Sequence, residues 1–342
     1  MLRHLSPTIF AVLLTLALLF VIPWLDRYAT YLLISVAIAA IGALALNLLT
    51  GMCGLINFAQ GALMGVGAYT AGNLGNAGWD ILALPAAGFV TAIASLVIGL
   101  PALRLRGLYF GVATLAAQFI VDYLFKILEP ITHGVSGLPI RQLRVLGIVI
   151  QNDRMFATVC VLSLLLAWWA MYRVKNTDLG RSFLVVREGE IVAKGMGIDV
   201  AHTKIWAFLI SGFFAGIAGA LVGFNARLAD PEAFTLGLSV DYLAMIIVGG
   251  LGSLTGPLLG SLFVTLLPEA IQRAAESFGI ASLLSALREF TFGLLIIVFL
   301  IFEPRGMSAL FRKLMFQRDA RNRKKAGYLN NNTQQPQGEE PK

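Results

Sequence analysis

Charged residues are scarce in this 342-residue chain, at 13% of the total, whereas 58% of its residues are hydrophobic. Such an apolar excess excludes an ordinary cytosolic enzyme, because a soluble fold of this length cannot bury it, and it also excludes a disordered chain. Cysteine is rare too. Cys53 and Cys160 lie in apolar segments, without the spacing of a disulfide framework or a metal site.

Ionisable groups that could perform chemistry inside a membrane are also few. The main candidates are Asp122, Glu269 and the adjacent Arg288 and Glu289. An unpaired charge in hydrocarbon is costly, which makes each one a functional hypothesis, but their positions near the outer ends of apolar runs favour snorkelling and local ion pairs. The sequence lacks a clustered acid, base and nucleophile, and it lacks the G-x-x-x-x-G-K-[ST] phosphate loop. It therefore predicts no catalytic residues and no nucleotide site.

The chain has long apolar runs instead. A helix of about 20 residues crosses the roughly 30 Å of hydrocarbon in a bilayer. The first run, Thr8 to Leu25, lacks a small-x-small cleavage site, so we expect a retained helix rather than a signal peptide. Nine further spans are predicted at 29–49, 54–75, 81–103, 107–127, 155–172, 204–225, 238–251, 255–270 and 283–302. The predicted fold is an all-α polytopic membrane protein of about ten transmembrane helices.

The positions of lysine and arginine orient these spans. With both termini in the cytoplasm (N-in/C-in), 18 of the 26 basic residues fall on the inner side, which is the side that positive charge favours. The long connections are then an outer loop at 128–154 and a polar, basic inner loop at 173–203. A transmembrane domain at 1–305 precedes a basic cytoplasmic tail at 306–342, which we expect to be disordered from about residue 330.

Glycines and amides fall within the predicted spans. Glycines from Gly51 to Gly72 permit close helix packing, and they equally permit the close backbone approach that a path for a small polar solute needs. The run from Gly249 to Gly256 lacks the lysine of a phosphate loop and predicts a tight turn between helices. Amide side chains can replace water around a solute, so we place the candidate solute path in the first half of the chain, at Asn47, Asn57, Gln60 and Gln118.

The inner loop is amphipathic. Phe183, Val186 and Ile191 form an apolar stripe, and charged residues occupy the opposite face. A helix of this kind fits a groove in a partner protein, and it fits a surface of anionic lipid equally well. Composition leaves both interpretations open.

Five motifs in chain order resemble the permease subunits of branched-chain amino acid ABC importers. The similarity covers about residues 29–305, and the long first helix is more similar to the M-type subunit of the pair than to the shorter H-type. The motifs are Asn47-Leu48-Leu49-x-Gly51-x-x-Gly54-Leu55 with Gly65-x-Gly67-Ala68-Tyr69-Thr70; Gly107-Leu108-Tyr109-Phe110; Thr132-x-Gly134-x-Ser136-Gly137-Leu138-Pro139; Arg187-Glu188-x-Glu190-Ile191-x-Ala193-x-x-x-Gly197-Ile198 with Ala215-Gly216-Ile217-Ala218-Gly219; and Gly249-Gly250-x-Gly252-Ser253-x-x-Gly256-Pro257.

The resemblance implies a transporter built from several chains in a bacterial inner membrane. A second homologous permease subunit would complete the path, two cytoplasmic ATPase subunits would hydrolyse ATP, and a periplasmic substrate-binding protein would deliver the amino acid. This chain would then be non-catalytic, with no cofactor, metal or nucleic acid. The inner loop would be the coupling helix, seated in a groove of an ATPase subunit. Its expected coupling residues are Arg181, Arg187, Glu188, Glu190, Ala193 and Gly197, while Gly189 departs from the family pattern.

Other functions stay open. An ABC permease for urea, short-chain amides or a sugar shares much of the glycine framework. An ion-coupled secondary transporter acting alone would need a buried titratable group, for which Asp122 and Glu269 are the candidates. A membrane-embedded enzyme is the third class, and the lack of clustered catalytic groups disfavours it.

Overall fold

The computed structural model describes residues 22–102, 105, 107–145, 148–150, 152–277, 293–294, 297 and 306–308. Most residues of the predicted spans at 8–25 and 283–302 lie outside the described part of the chain, and so do most residues of the tail. Five helices in the described part are long and apolar enough to cross a membrane, and a shorter apolar helix accompanies them. The protein is therefore an all-α membrane protein, while the count of ten spans stays a prediction.

Helices account for most of the described chain, and one overlaps each of the eight predicted spans from 29–49 to 255–270. In chain order they are α1 (Arg27–Leu46), α2 (Gln60–Asn76), α3 (Asp80–Ala102), α4 (Leu108–Ile127), α5 (Glu129–Thr132), α6 (Asp153–Lys175), α7 (Asp178–Glu188), α8 (Glu190–Gly195), α9 (Val200–Ala226), α10 (Leu236–Gly249) and α11 (Gly256–Ser277). A π-helical segment, Asn47–Met52, extends α1, so that one apolar span runs over Arg27–Met52. Short 3-10 turns lie at Ile22–Trp24, Gly134–Ser136 and Pro231–Phe234.

The third predicted span, 54–75, is wrong at its beginning. Helix α2 starts only at Gln60, and residues 53–59 are not helical. Gly54 adopts a left-handed backbone conformation with φ +77°, which interrupts a helix. Thr114 on α4 then accepts a hydrogen bond from the amide of Phe58 at 3.1 Å, which holds the non-helical segment against a neighbouring helix.

Helix α9 lies at the centre of the bundle, packed against α1, α2 and α3. Two glycines allow its closest approach to α2. A Cβ at Gly219 would collide with the carbonyl oxygen of Met64, and a Cβ at Gly67 would collide with that of Gly216. Ser211 on α9 donates a hydrogen bond to the carbonyl oxygen of Ala45 at 2.8 Å. Small residues and hydroxyls thus let these helices pack at short distance, as is usual in membranes.

The connection at 128–154 folds back on the helix ends. Strand β1 (Leu138–Pro139) pairs antiparallel with β4 (Leu228–Ala229), which follows α9, and β2 (Arg144–Val145) pairs with β3 (Ile148–Val149). Asn76 at the end of α2 donates to the carbonyl oxygen of Pro139 at 2.7 Å. We call this end of the bundle the 128–154 end, and the opposite end, which carries α7 and α8, the 173–203 end.

Candidate functional site

Helices α7 and α8 occupy the 173–203 end. Thr177 caps α7, since its hydroxyl accepts a hydrogen bond from the amide of Gly180 at 3.4 Å. Of the three predicted stripe residues, Phe183 and Val186 are buried against the chain itself, but Ile191 is 80% exposed. The stripe is therefore divided: two members anchor α7 to the bundle, and the third points away from it.

Exposed apolar side chains gather on this loop. The set, here called the loop patch, consists of Leu184, Ile191, Val192 and Met196. Exposed apolar side chains on a polar loop make this segment a candidate for contact with a partner. Arg181 lies on α7 in an exposed ion pair with Asp178, at 3.2 Å.

Arg187 links α7 to the rest of the 173–203 end. Its Nη1 donates a hydrogen bond to the carbonyl oxygen of Gly51, in the π-helical extension of α1, at 2.5 Å. In the same extension, the Asn47 side chain accepts from the amide of Gly252 and donates to the carbonyl oxygen of Ser253, both at 2.9 Å. Gly252 and Ser253 lie in the turn between α10 and α11. The α7 helix, the end of α1 and this turn are thus joined by two side chains.

A buried ion pair fixes α8 to α9. Nζ of Lys204, in the first turns of α9, lies 2.6 Å from Oε1 of Glu190, and the Lys204 side chain is 2% exposed. Ala193 on α8 is fully buried. By contrast, Glu188 ends α7 on the surface, and Gly197 follows α8 with φ +78° in open space. The six coupling candidates therefore divide into Arg181, Glu188 and Gly197, which are exposed at the surface of the loop, and Arg187, Glu190 and Ala193, which contact the bundle, although Arg187 is also partly exposed.

A second polar cluster lies in the middle of the bundle, where α2 begins. The first N–H groups of a helix lack partners within it and must be satisfied from elsewhere. Here the amide of Gly61 donates to Ser239 Oγ at 2.8 Å, and the amide of Ala62 donates to Gln118 Oε1 at 2.8 Å. The Gln118 Nε2 group donates in turn to the carbonyl oxygen of Phe234 at 2.8 Å. Side chains from α4 and α10 thus cap α2.

Two amides of this cluster keep an unpartnered atom. Gln60 donates to the carbonyl oxygen of Gly42 at 3.2 Å, and Asn57 accepts from the amide of Ala59 at 3.0 Å. Both side chains are fully buried, yet Gln60 Oε1 and Asn57 Nδ2 contact no hydrogen-bonding group among the described residues. The structure thus brings Asn57, Gln60 and Gln118 together and places Asn47 at the 173–203 end.

The depth of this cluster follows from α1. Gly42 lies ten residues before Met52, and a rise of 1.5 Å per residue puts it about 15 Å from that end of the span. Residues 53–59 cover this distance without helical structure, and Ile56 among them is 43% exposed. Non-helical backbone at membrane depth is tolerated where it is buried in protein or lines a water-filled cavity. The exposed side of this segment therefore does not face lipid.

Comparison with known proteins now assigns the family. Residues 28–300 match the model of the branched-chain amino acid transport system / permease component family. The chain belongs to this family. It is 29% identical over 297 residues to the high-affinity branched-chain amino acid transport system permease protein LivM of Salmonella typhimurium. The LivM protein of Escherichia coli K12 has the same identity over the same length. Each alignment covers 79% of this chain and 67% of the relative.

Permeases with other cargoes match as well. The autoinducer 2 import system permease protein LsrC of Escherichia coli SMS-3-5 is 26% identical over 90% of both chains. The ribose import permease protein RbsC of Haemophilus influenzae is 31% identical, over 30% of this chain and 33% of its own. No solved structure matches the chain. The resemblance to branched-chain amino acid permeases is thereby confirmed: the protein is a multi-pass ABC transporter permease.

The ionisable groups predicted in the spans have local partners in this permease. Asp122 lies 3.5 Å from Lys126 one turn later on α4, and Glu269 accepts a hydrogen bond from the hydroxyl of Tyr28 at 2.8 Å. Arg288 and Glu289 lie outside the described residues. Sequence reasoning missed Asp241, an exposed carboxylate on α10. The signal that could have found it is a lone charge in the apolar run at 238–251.

Proposed function

We propose that the chain is a non-catalytic, membrane-spanning permease subunit of an ATP-driven importer that moves branched-chain amino acids from the periplasm to the cytoplasm across a bacterial inner membrane. The observation that carries this proposal is the similarity to two LivM proteins over 79% of the chain. The similarity to RbsC covers 30% of the chain. A glycine framework shared among these permeases would account for a match of that extent. LsrC, aligned over 90% of the chain, and RbsC make autoinducer 2 or ribose the second candidate cargo.

We further propose that the loop at 173–203 docks to a cytoplasmic ATPase subunit. The loop patch and the exposed residues Arg181, Glu188 and Gly197 would form the contact surface. Arg187, Glu190 and Ala193 would hold the loop to the bundle, so that movement of the ATPase reaches the spans. Support comes from the exposure of Ile191 and Met196, at 80% and 68%, next to buried anchors on the same loop.

The remaining partners and the topology are part of the same proposal. A second homologous permease subunit would complete the path, two ATPase subunits would supply the energy, and a periplasmic substrate-binding protein would deliver the solute. The chain would cross the membrane about ten times, N-in/C-in, within a domain at 1–305 followed by a basic cytoplasmic tail at 306–342. The excess of basic residues on one side of the spans supports this arrangement.

We place the solute path beside the break at the start of α2. The unpartnered atoms of Gln60 and Asn57 leave hydrogen-bonding capacity at mid-depth. Gln118 and Asn47 would act by holding the ends of the broken helices, since their amides are engaged with backbone groups. Gly54 and Ile56, which are exposed in the non-helical segment 53–59, would place backbone groups along the path.

Uptake measurements test the proposed cargo. A strain that lacks this chain and carries its neighbouring transport genes is complemented with the wild-type chain, and uptake of radiolabelled leucine, isoleucine, valine, ribose, autoinducer 2 and urea is compared. We expect uptake of the three amino acids alone, lost when the ATPase genes are deleted. Uptake of ribose or autoinducer 2 instead would favour the second candidate. Leucine uptake that survives loss of the ATPase genes and collapses with an uncoupler would favour an ion-coupled transporter.

Co-purification tests the docking surface. Ile191→Ser combined with Met196→Ser should reduce the amount of ATPase subunit that co-purifies with the permease by about tenfold, because two exposed apolar contacts are lost. Ile93→Ser is the matched control, since Ile93 is 62% exposed on α3, away from the loop. Equal recovery of ATPase with both variants would contradict the assignment of the loop.

A further inference from the structure

Helix α10 presents a carboxylate on the face that is turned away from its own bundle. Ser239, Tyr242 and Ile246 are buried against neighbouring helices. On the opposite side, Val240 is 49% exposed, and Asp241 beside it is exposed as well. Asp241 is the only charged residue between Leu236 and Gly249. The helix therefore has one packed face and one outward face with a single negative charge.

Contacts on either side of Asp241 fix its depth. The amide of Gly61, at the mid-bundle start of α2, donates to Ser239 at 2.8 Å. The ring of Tyr242 packs on Gly42, where a Cβ would lie 2.5 Å from the ring atom Cε1. Since Gly42 lies about 15 Å from the Met52 end of the α1 span, Asp241 lies deep within the apolar thickness.

A lone carboxylate at this depth needs a polar environment. No residue in the described part of the chain forms a hydrogen bond or ion pair with Asp241, and its outward position keeps it from the amide cluster behind α10. Charged groups within membrane spans face either protein or a water-filled cavity, because hydrocarbon solvates them poorly, and they mark substrate and ion pathways. The outward face of α10 therefore does not contact lipid.

We propose that Asp241 lines the part of the solute path that lies along the outward face of α10, across that helix from the break at the start of α2, and binds the ammonium group of the amino acid in passage. This inference rests on the proposed function, and it adds a residue and a contact to it. A branched-chain amino acid carries one positive group, its α-ammonium, and a carboxylate is the side chain that pairs with it most strongly. The apolar neighbour Val240 suits the solute's aliphatic side chain. Because Asp241 is exposed on the described chain, a solute can reach it and leave it.

Thiol labelling of the assembled transporter tests whether Asp241 faces water. Asp241→Cys should react with a charged, membrane-impermeant methanethiosulfonate reagent at least about tenfold faster than Ile93→Cys, an exposed position on α3 that we expect to face lipid. The native Cys53 and Cys160 are buried and give a low background. Equal rates at the two positions would overturn the proposal, because Asp241 would then lie against lipid or in a closed contact with protein.

Transport by Asp241→Asn tests the ammonium contact. We expect leucine uptake to fall about tenfold or more, with partial recovery in Asp241→Glu, because one charge-assisted contact is lost. Glu232→Gln removes an exposed carboxylate nearby in the chain and should leave uptake unchanged. Full uptake by Asp241→Asn would overturn the proposal. Restoration of uptake by Asp241→Asn with Arg288→Gln would also overturn it, since the carboxylate would then serve a structural pair with Arg288.

The two proposals fail separately. If the wild-type transporter takes up no branched-chain amino acid but Asp241→Cys reacts rapidly, the cargo is wrong and the ammonium contact fails with it, while the water-facing position of residue 241 stands. If wild-type uptake of leucine is normal and Asp241→Asn matches it, the proposed function stands and the inference about Asp241 fails.

Discussion

At the scale of single residues, two arginines of α7 differ in their hydrogen-bonding partners. Arg187 donates to the Gly51 carbonyl oxygen, whereas Arg181 pairs with Asp178 in solvent. Arg187→Ala should lower the free energy of unfolding of the detergent-solubilised permease by about 1.5–3 kcal/mol, the value of a hydrogen bond to a charged group. Arg181→Ala should leave it unchanged, because exposed ion pairs contribute little. Thermal unfolding followed by tryptophan fluorescence measures both, and equal shifts would contradict the distinction.

The Lys204–Glu190 pair is the second residue-scale prediction. Lys204→Met removes the cation and leaves the carboxylate partly buried, at 21% exposure. We expect the free energy of unfolding to fall by about 2 kcal/mol, below the value of about 3–5 for a fully buried pair, because water still reaches Glu190. The double variant with Glu190→Gln should recover part of this loss. Thermal unfolding of the four proteins of the cycle gives the coupling, and strict additivity would refute it.

At the scale of elements, the packing of α9 on α2 depends on glycine. Gly219→Ala should reduce the yield of monodisperse protein and lower its free energy of unfolding by about 1–3 kcal/mol, because the new Cβ collides with the backbone of Met64. Gly195→Ala is the matched control, since no atom lies within 4 Å of its Cβ position. Size-exclusion profiles and thermal unfolding provide the readout. Similar losses in both variants would show that the effect is general rather than a matter of this helix contact.

The position at which α2 begins could not be predicted from the hydropathy of the sequence. Hydropathy is continuous over 54–75, so it predicts a single span there. The helix starts late because the side chains of Gln118 and Ser239, which are far away in the chain, satisfy its first amides. Hydropathy of one segment carries no information about such distant caps. The amides themselves were identifiable, since polar groups in apolar runs must find partners.

The structure of the loop at 173–203 could also be predicted only in part from the sequence. Its amphipathic pattern predicts helix, and α7 and α8 are present. Periodicity groups Phe183, Val186 and Ile191 on one stripe, yet Ile191 turns outward because the chain breaks between α7 and α8 at Gly189. A break of one residue in a helix changes the direction in which all of the following side chains point. The sequence could therefore indicate an interaction helix without indicating which apolar residues remain free for a partner.

At the scale of the whole molecule, the apolar excess is consistent with the proposed assembly, in which other subunits hydrolyse ATP. Five helices of the described chain are long and apolar enough to cross a bilayer, and the family match spans residues 28–300. Under the proposed function the ATPase is a separate subunit, and it would act on this permease through a surface. The polar 173–203 end and the folded connection at 128–154 are the two surfaces available at opposite ends of the described bundle.

The orientation of these two surfaces can be measured with two cysteine variants. In intact cells, a membrane-impermeant maleimide should label Val135→Cys, which lies on the predicted outer loop and is 70% exposed. It should label Met196→Cys, which is 68% exposed on the predicted inner loop, only after the membrane is permeabilised. The expected result follows from the excess of lysine and arginine on the 173–203 side, which the positive-inside rule places in the cytoplasm. Labelling of Met196→Cys alone in intact cells would reverse the topology, and the loop patch could then not dock to a cytoplasmic ATPase.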